Sequence, residues 1–458
     1  MNSFIKFLIV TCCLNMVSCK KYLDVGSPDT QLTSATVFSS DATATAAMIA
    51  VYAGMEATGL QHDLLINTGI AGDEAINYFF SPDMAAIAMN DIVPSNAVIS
   101  AVWSNWYKYI YQSNAVLKGV DGSGSLSEVA KKQLKGEALF MRAFLHFHLA
   151  NLFGDIPYIT TTEYTSNAIA ARDPVASVLQ KITDDLLQAK DLLASQYVSA
   201  ANISSSERVR PNKYAAAAML ARVYLFRNEW SKAEAEAGFV IENTSMYSLS
   251  SSLTEVFLKN SNEAILQWMA TLPGYNSYTG GSLVPSVNPV SITLRQELIS
   301  AFESGDLRKE IWTKSITNGS DTYVYPFKYQ VGQSAPSITE YTMVLRLAEL
   351  YLIRAEARLK QNNLSGSTAD INTIRTRAGL AATTAATTDQ LMNAIRQERR
   401  MELFTEFGDR WFDMKRTGII DQVMTSLKPA SWTATDELFP IPQTEIDRNP
   451  HLTQNRGY

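Results

Sequence analysis

From Asp41 onward, alanine, leucine, glutamate, lysine and arginine recur at intervals of three and four residues. Residues with this spacing share one face of an α-helix, so the pattern predicts a mostly α-helical protein. Polar segments rich in Ser, Gly and Asn separate the predicted helices at 120–125, 195–212 and 361–366. The segment 248–294 lacks helical spacing and is dense in Ser, Gly, Pro and Tyr. Long loops of this kind are usually functional or disordered.

Part of the helical pattern is repetitive. A partial tetratricopeptide pattern, with a turn at 228–230, occurs at Leu220, Ala221, Tyr224 and Ala233. More degenerate helices of the same type are predicted at 136–151 and 341–360. Three partial matches in one chain favour a scaffold of stacked helix pairs.

The cysteines are confined to the N-terminus: Cys12, Cys13 and Cys19. Disulfides, cysteine-based zinc sites and thiol nucleophiles are therefore excluded from the rest of the chain. Residues 1–18 contain one charge and a short apolar run, which is typical of a secretory signal peptide. Small residues before Cys19 are typical of a lipobox, so we expect this cysteine to be acylated and to anchor the protein without spanning the membrane.

Overall composition excludes two classes of protein. A mean hydropathy of -0.06 over 458 residues does not fit a polytopic membrane protein. The chain has 39 Lys and Arg against 45 Asp and Glu, a net charge of -6, and no basic stripe. Because nucleic-acid binding needs clustered positive charge, we expect no nucleic-acid partner.

Several motifs follow one another in a fixed order. The longest begins at Gly136 and ends in Gly154-Asp155-Ile156-Pro157, and another reads Arg210-Pro211-Asn212. The remaining motifs lie at 103–114, 171–175, 262–265, 305–308, 346–357, 398–413 and 439–458. Together they span essentially the whole chain after the signal peptide, which closely resembles the SusD/RagB family of outer-membrane nutrient-binding lipoproteins.

The resemblance implies a SusD-like fold, in which tetratricopeptide-like helix pairs pack against an irregular, loop-rich half. We place the boundary between an N-terminal region, 19–225, and a C-terminal region, 226–458. It also implies a lipid-anchored protein on the outer membrane, facing the cell exterior, that passes its ligand to a SusC-like TonB-dependent transporter. Oligosaccharides are the usual ligands of the family, and peptide-binding relatives exist. No enzymatic activity and no cofactor are implied.

An extracellular glycoside hydrolase is the enzymatic alternative. Glu398, Glu402 and Glu406 are spaced to share one helix face, and a pair of carboxylates is the usual catalytic group of glycosidases. Arg399, Arg400 and Arg410 crowd the same segment, however, and arginine lowers the pKa of a nearby carboxylate. The pattern favours a structural ion-pair network over catalysis. A third alternative is a helix-repeat adaptor with no small ligand.

Metal binding has little support in the sequence. His146 and His148 are two residues apart on a predicted helix and so point about 200° apart, which prevents joint chelation. His62 and His451 are isolated. A calcium site made of oxygen ligands stays open, with the loop before Asp321 as a candidate that turn chemistry explains equally well.

Aromatic residues in predicted loops are the best candidates for ligand binding, because Tyr and Trp stack on the flat faces of sugar rings. One cluster contains Tyr78. The other contains Trp268, Tyr275, Asn276 and Tyr278, although Trp268 ends a segment, 263–268, that is typical of a buried strand. The aromatic stripe from Trp103 to Tyr111 has helical spacing, which is more typical of a core than of a ligand surface.

Overall fold

The computed structural model describes residues 34–79, 81–285, 291–333 and 336–458. The predicted signal peptide and lipidated Cys19 lie outside the described residues. About 54% of the chain is helical, which confirms the mostly α fold class. In the described part of the chain, no helix is both long and apolar enough to cross a membrane.

The helices are numbered in chain order. They are α1 Ser34–Val37, α2 Asp41–Ala57, α3 Leu60–Ala71, α4 Pro82–Met89, α5 Ala97–Gly122, α6 Glu128–Phe153, α7 Tyr164–Asn167, α8 Val175–Leu192, α9 Lys213–Phe226, α10 Trp230–Ile241, α11 Tyr278–Leu283, α12 Gln296–Ile299, α13 Leu307–Trp312, α14 Leu347–Lys360, α15 Leu364–Arg377, α16 Thr388–Leu403, α17 Asp409–Arg416, α18 Ile420–Leu427 and α19 Gln443–Arg448. A 3-10 helix covers Ala434–Glu437.

The strands form three two-stranded antiparallel sheets within the described residues. They are β1 Ala75–Asn77 with β3 Ile292–Leu294, β2 Ala264–Trp268 with β6 Thr342–Arg346, and β4 Thr313–Asn318 with β5 Asp321–Pro326. The predicted strand at 263–268 is confirmed as β2, whose residues are all buried.

The long helices stack side by side in a row: α5, α6, α8, α9, α10, α14, α15 and α16, each packed on the next. The tetratricopeptide-like pair at 220–233 is confirmed as α9 and α10, with Asn228 in the left-handed conformation at the turn. Small side chains at Ala215, Ala216, Ala217 and Ala218 are buried, which lets neighbouring helices approach α9 closely.

The predicted helix at 341–360 is only partly correct. Its first turn is the strand β6, and the helix α14 begins at Leu347. The run Thr342-Met-Val-Leu has the apolar and β-branched character of a buried strand, and pairing with β2 decides its conformation. The main hydrophobic core contains side chains from both sides of residue 225, and the proposed region boundary there stays a prediction.

A buried cluster of charged groups joins β6 to the helices around it. Arg346, at the end of β6, contacts Glu263 at 2.9 Å, Glu402 at 2.6 Å and Glu406 at 2.7 Å. Glu402 is also paired with Arg308 and Arg377. Each charge in the cluster therefore meets an opposite charge, as burial in a low-dielectric interior requires.

We expect Arg346→Met to reduce the free energy of unfolding by about 3–5 kcal/mol, because it leaves buried carboxylates without their partner. Arg448→Met is the matched control, since Arg448 is largely exposed and pairs with Glu445 on the surface. It should change stability by less than about 1 kcal/mol. Urea unfolding followed by circular dichroism measures both. Equal stability of the two variants would contradict a structural role for the cluster.

Candidate ligand-binding site

Tyr275 and Tyr278 come together as a stacked pair of rings. Their centroids are 6.3 Å apart and their planes differ by 22°. Ser277 sits between them and caps α11, its hydroxyl accepting from the Gly280 N–H at 2.9 Å. The cap sets the direction in which Tyr278 leaves the backbone. Both tyrosines are partly exposed, so their ring surfaces are accessible to a ligand.

Glycines fix the position of both rings. Gly59 has a φ of 65°, and a β-carbon there would collide with the ring of Tyr278. A β-carbon at Gly281 would collide with the ring of Tyr275 in the same way. Because each ring packs directly on glycine backbone, the pair is held in place before any ligand arrives. Such preorganisation reduces the entropy lost on binding.

Polar groups at the start of α3 border Tyr278. The His62 ring lies 5.5 Å from the Tyr278 ring. The side chain of Asp63 makes no hydrogen bond or ion pair with the described part of the chain, and burial raises its pKa to about 7. An aromatic pair beside a free carboxyl group offers both a stacking surface and a hydroxyl-binding group to a sugar.

His62 and Asp63 also border the candidate site, although neither was predicted to lie there. Both follow Gly59, and the left-handed glycine begins the helix that presents them to Tyr278. The signal in the sequence was two polar side chains three and four residues after Gly59. Nothing in it indicated that a loop more than 200 residues later would pack against this turn.

Two predicted ligand-binding residues, Trp268 and Asn276, have buried side chains, so the structure places neither on the accessible surface of the tyrosine pair. Trp268 is 1% exposed and packs between Phe144 and Phe407, with ring centroids 5.8 Å from each. Asn276 is buried, and its side-chain oxygen accepts from the N–H of Glu340 at 2.8 Å. Trp268 fills the core, and Asn276 holds the loop to the chain before β6.

Tyr78 remains on the surface but apart from the stacked pair. It is 50% exposed, and its ring meets Tyr323 of β5 edge to face at 5.3 Å. It follows α3 at the helix end opposite to His62. The twelve residues of α3 span about 18 Å. The structure therefore does not bring Tyr78 together with Tyr275 and Tyr278.

The carboxylates of the hydrolase alternative are inaccessible. Glu398 and Glu402 are both buried, and Glu398 pairs with Arg308 and Arg375. Burial raises the pKa of Glu398, whereas for Glu402 the opposing arginines outweigh burial and hold the pKa below its usual range. The predicted ion-pair network is confirmed. Its arginines come from distant segments, however, and not from the neighbouring Arg399 and Arg400.

The histidines and Asp321 do not assemble a metal site. His146 and His148 are buried, and burial lowers the pKa of each to about 3. The Nδ1 of each ring bonds a backbone carbonyl four residues earlier. Asp321 closes the β4–β5 turn. Across 34–79, 81–285, 291–333 and 336–458, no three His, Cys, Asp or Glu residues are grouped to hold a metal ion.

Glu56 is a buried residue that holds Tyr278 through a hydrogen bond to its backbone. Its carboxyl oxygen accepts from the Tyr278 N–H and from the Thr342 hydroxyl, both at 2.8 Å. Burial raises the pKa of Glu56 to about 7, although both hydrogen bonds oppose the shift. The native state therefore retains a proton on Glu56 that the unfolded chain loses at lower pH.

This raised pKa has a measurable consequence. Since the folded pKa lies above the unfolded value, the proton contributes stability that is full below about pH 4.5 and lost by about pH 7. Relative to Glu56→Gln, the wild type should lose about 3 kcal/mol of unfolding free energy across that range. The exposed Glu255→Gln is the control for the substitution itself. Unfolding curves at several pH values measure the difference, and parallel stability profiles for wild type and Glu56→Gln would contradict it.

Comparison with known proteins gives a consistent family of relatives. Residues 308–458 match a family model described as "SusD family". Residues 21–225 match a second, described as "Starch-binding associating with outer membrane". SusD-like protein P2 of Formosa agariphila is 28% identical over 425 residues, which covers 79% of this chain and 81% of that protein.

Solved structures show the same fold. A SusD superfamily protein from Bacteroides vulgatus superposes with a TM-score of 0.79 at 20% identity, over 92% of this chain and all of the other. A structure titled "Laminarin binding SusD-like protein" gives a TM-score of 0.75 at 22% identity, over 91% of this chain and 99% of the other. At these identities the likeness establishes the fold.

Proposed function

This chain belongs to the SusD/RagB family, and we propose that it is an oligosaccharide-binding protein of the outer membrane. The observation that carries the proposal is the preformed Tyr275–Tyr278 pair. Its rings are partly exposed, held by glycine backbone and bordered by the free carboxyl group of Asp63. Similarity to a starch-binding family model and to a laminarin-binding protein of the same fold supports a glycan as the ligand class.

In this proposal Tyr275 and Tyr278 stack on the apolar faces of sugar rings, and Asp63 and His62 bond hydroxyl groups at the edge. The rings supply most of the binding energy, because aromatic faces bury a large area at little entropic cost. With its pKa near 7, Asp63 is able to act as a donor or an acceptor at neutral pH. Asn276 positions the loop and does not contact the ligand.

We further propose that Cys19 carries the lipid anchor, that the protein faces the cell exterior, and that it delivers its ligand to a SusC-like TonB-dependent transporter. The family model's phrase "associating with outer membrane" supports the location. The small residues before Cys19 support the anchor. The protein captures its ligand without chemical conversion, and the burial of Glu398 and Glu402 agrees with this role. No cofactor is required.

The test is calorimetric titration of lipid-free residues 20–458 with laminarin and starch oligosaccharides and with peptides. We expect saturable binding of an oligosaccharide without new reducing ends. Tyr275→Ala and Tyr278→Ala should each raise the dissociation constant about tenfold, which is equivalent to ~1.4 kcal/mol of lost stacking energy. Phe239→Ala is the matched control, because this partly exposed aromatic lies on α10, away from the site.

Three other results would contradict parts of this proposal. Unchanged affinity in both tyrosine variants, with normal melting temperatures, would place the site elsewhere. Saturable binding of peptides alone would identify a peptide-binding member of the family. Release of reducing ends that persists in purified protein would restore the hydrolase alternative.

A further inference from the structure

A second groove lies along the long helix α5. It has a volume of about 790 Å³, and its walls are the N-terminal half of α5, the segment 157–168 and the segment 445–452. Two further depressions, of about 670 and 360 Å³, continue it along the helix towards Gly122 and share Thr162 with it. From Trp103 to Gly122 the helix rises about 28 Å. We refer to these three adjoining depressions as the α5 groove.

The lining combines aromatic surface with polar groups. Tyr111 and Tyr164 are 51% and 82% exposed. Trp103 lines the same groove at only 3% exposure, and its indole N–H has no hydrogen-bond partner among the described residues. Glu445 and Arg448 stand at the rim and pair with each other at 3.3 Å. This N–H is within reach of solvent, so it is an available donor beside the open aromatic rings.

The walls of the groove are fixed by hydrogen bonds between side chains and backbone. The Tyr107 hydroxyl donates to the Pro157 carbonyl at 2.9 Å. The Asn114 amide donates to the Ile159 carbonyl at 3.0 Å. On the other wall, the Asn449 amide donates to the Ala170 carbonyl at 2.8 Å. The groove therefore exists without a ligand and needs no rearrangement to accept one.

The α5 groove is separate from the Tyr275–Tyr278 pair. The Tyr109 hydroxyl bonds the Thr58 hydroxyl at 3.1 Å, directly before the Gly59 on which Tyr278 packs. Tyr107, which lines the groove, is two residues from Tyr109 and so points about 200° away around the helix. The body of α5 lies between the two surfaces.

We propose that the α5 groove is a second oligosaccharide-binding site. Tyr111 and Tyr164 receive sugar faces, the Trp103 N–H donates to a ring or hydroxyl oxygen, and Glu445 and Arg448 bond hydroxyl groups. The ligand class rests on the proposed function; the site itself does not. The cleft's length along α5 suits a chain of several sugars rather than a single one.

Two observations favour an oligosaccharide over a peptide. Glu445 and Arg448 neutralise each other, so the rim suits an uncharged, hydroxyl-rich ligand. Among the described residues, none that lines the groove belongs to a strand, whereas extended peptides commonly bind by adding a strand to a sheet.

The experiment measures binding of maltoheptaose and laminarihexaose to residues 20–458 in which Tyr275→Ala/Tyr278→Ala has removed the first site. We expect residual binding of at least one of the two probes at one equivalent. Adding Tyr111→Ala/Tyr164→Ala should weaken it tenfold or more. Tyr111→Phe/Tyr164→Phe, which keeps both rings, should preserve binding, and Phe239→Ala serves as the remote aromatic control.

The results separate this inference from the proposed function. If the first-site variant binds neither probe while the wild type binds one, the α5 groove is not a glycan site and the proposed function stands. If only the groove variants lose binding, the groove stands and the Tyr275–Tyr278 site is wrong. If neither probe binds any form of the protein, the inference is overturned. Binding of unstructured heptapeptides in the groove, lost in Tyr111→Ala/Tyr164→Ala, would overturn the ligand class.

Discussion

The guanidinium group of Arg346 connects the parts of the structure on which the proposed site depends. It ends the buried strand β6 and is held by the carboxylates of Glu263, Glu402 and Glu406. Four residues earlier, at the start of the same strand, the Thr342 hydroxyl bonds Glu56. Glu56 in turn accepts from the backbone N–H of Tyr278. The ion cluster thus fixes the strand, and the strand fixes the support under the tyrosine pair.

This arrangement explains how a loop with little regular structure holds the two tyrosine rings in fixed positions. Loops are mobile when few buried contacts hold them. Here the Asn276 side chain is hydrogen-bonded to the chain before β6, and Glu56 of α2 is hydrogen-bonded to the first turn of α11. The two tyrosine rings pack directly against glycine backbone. The row of stacked helices provides the frame, and the loop around Tyr275 contributes the aromatic rings of the proposed site. The division of labour resembles that of other proteins in which a rigid scaffold positions functional loops.

Much of the fold was predictable because its signals are local. Helical spacing predicted the α9–α10 pair, and the apolar run at 263–268 predicted β2. The glutamates of α16 were correctly interpreted as structural. Their true partners Arg308, Arg346, Arg375 and Arg377 could not be identified from the sequence, because residues up to 94 positions apart meet only in the folded chain. Neighbouring Arg400 instead turns to Asp73.

The site was predictable in part for the same reason. Loop composition predicted Tyr275 and Tyr278 as ligand-binding residues, but it did not distinguish them from Asn276, whose side-chain amide is hydrogen-bonded to backbone groups. Burial of Trp268 depends on Phe144 in α6 and on Phe407 in the turn between α16 and α17. His62 and Asp63 enter the site only through a contact between α3 and α11. Long-range packing, which no short motif encodes, decided each of these cases.

The central claim is that the Tyr275–Tyr278 pair binds an oligosaccharide. The most direct measurement is a crystal structure of residues 20–458 with the tightest-binding oligosaccharide from the titration panel. The account predicts a sugar ring stacked on Tyr275 or Tyr278, with a hydroxyl group within hydrogen-bonding distance of Asp63. A fully occupied ligand that leaves both rings uncovered would contradict it.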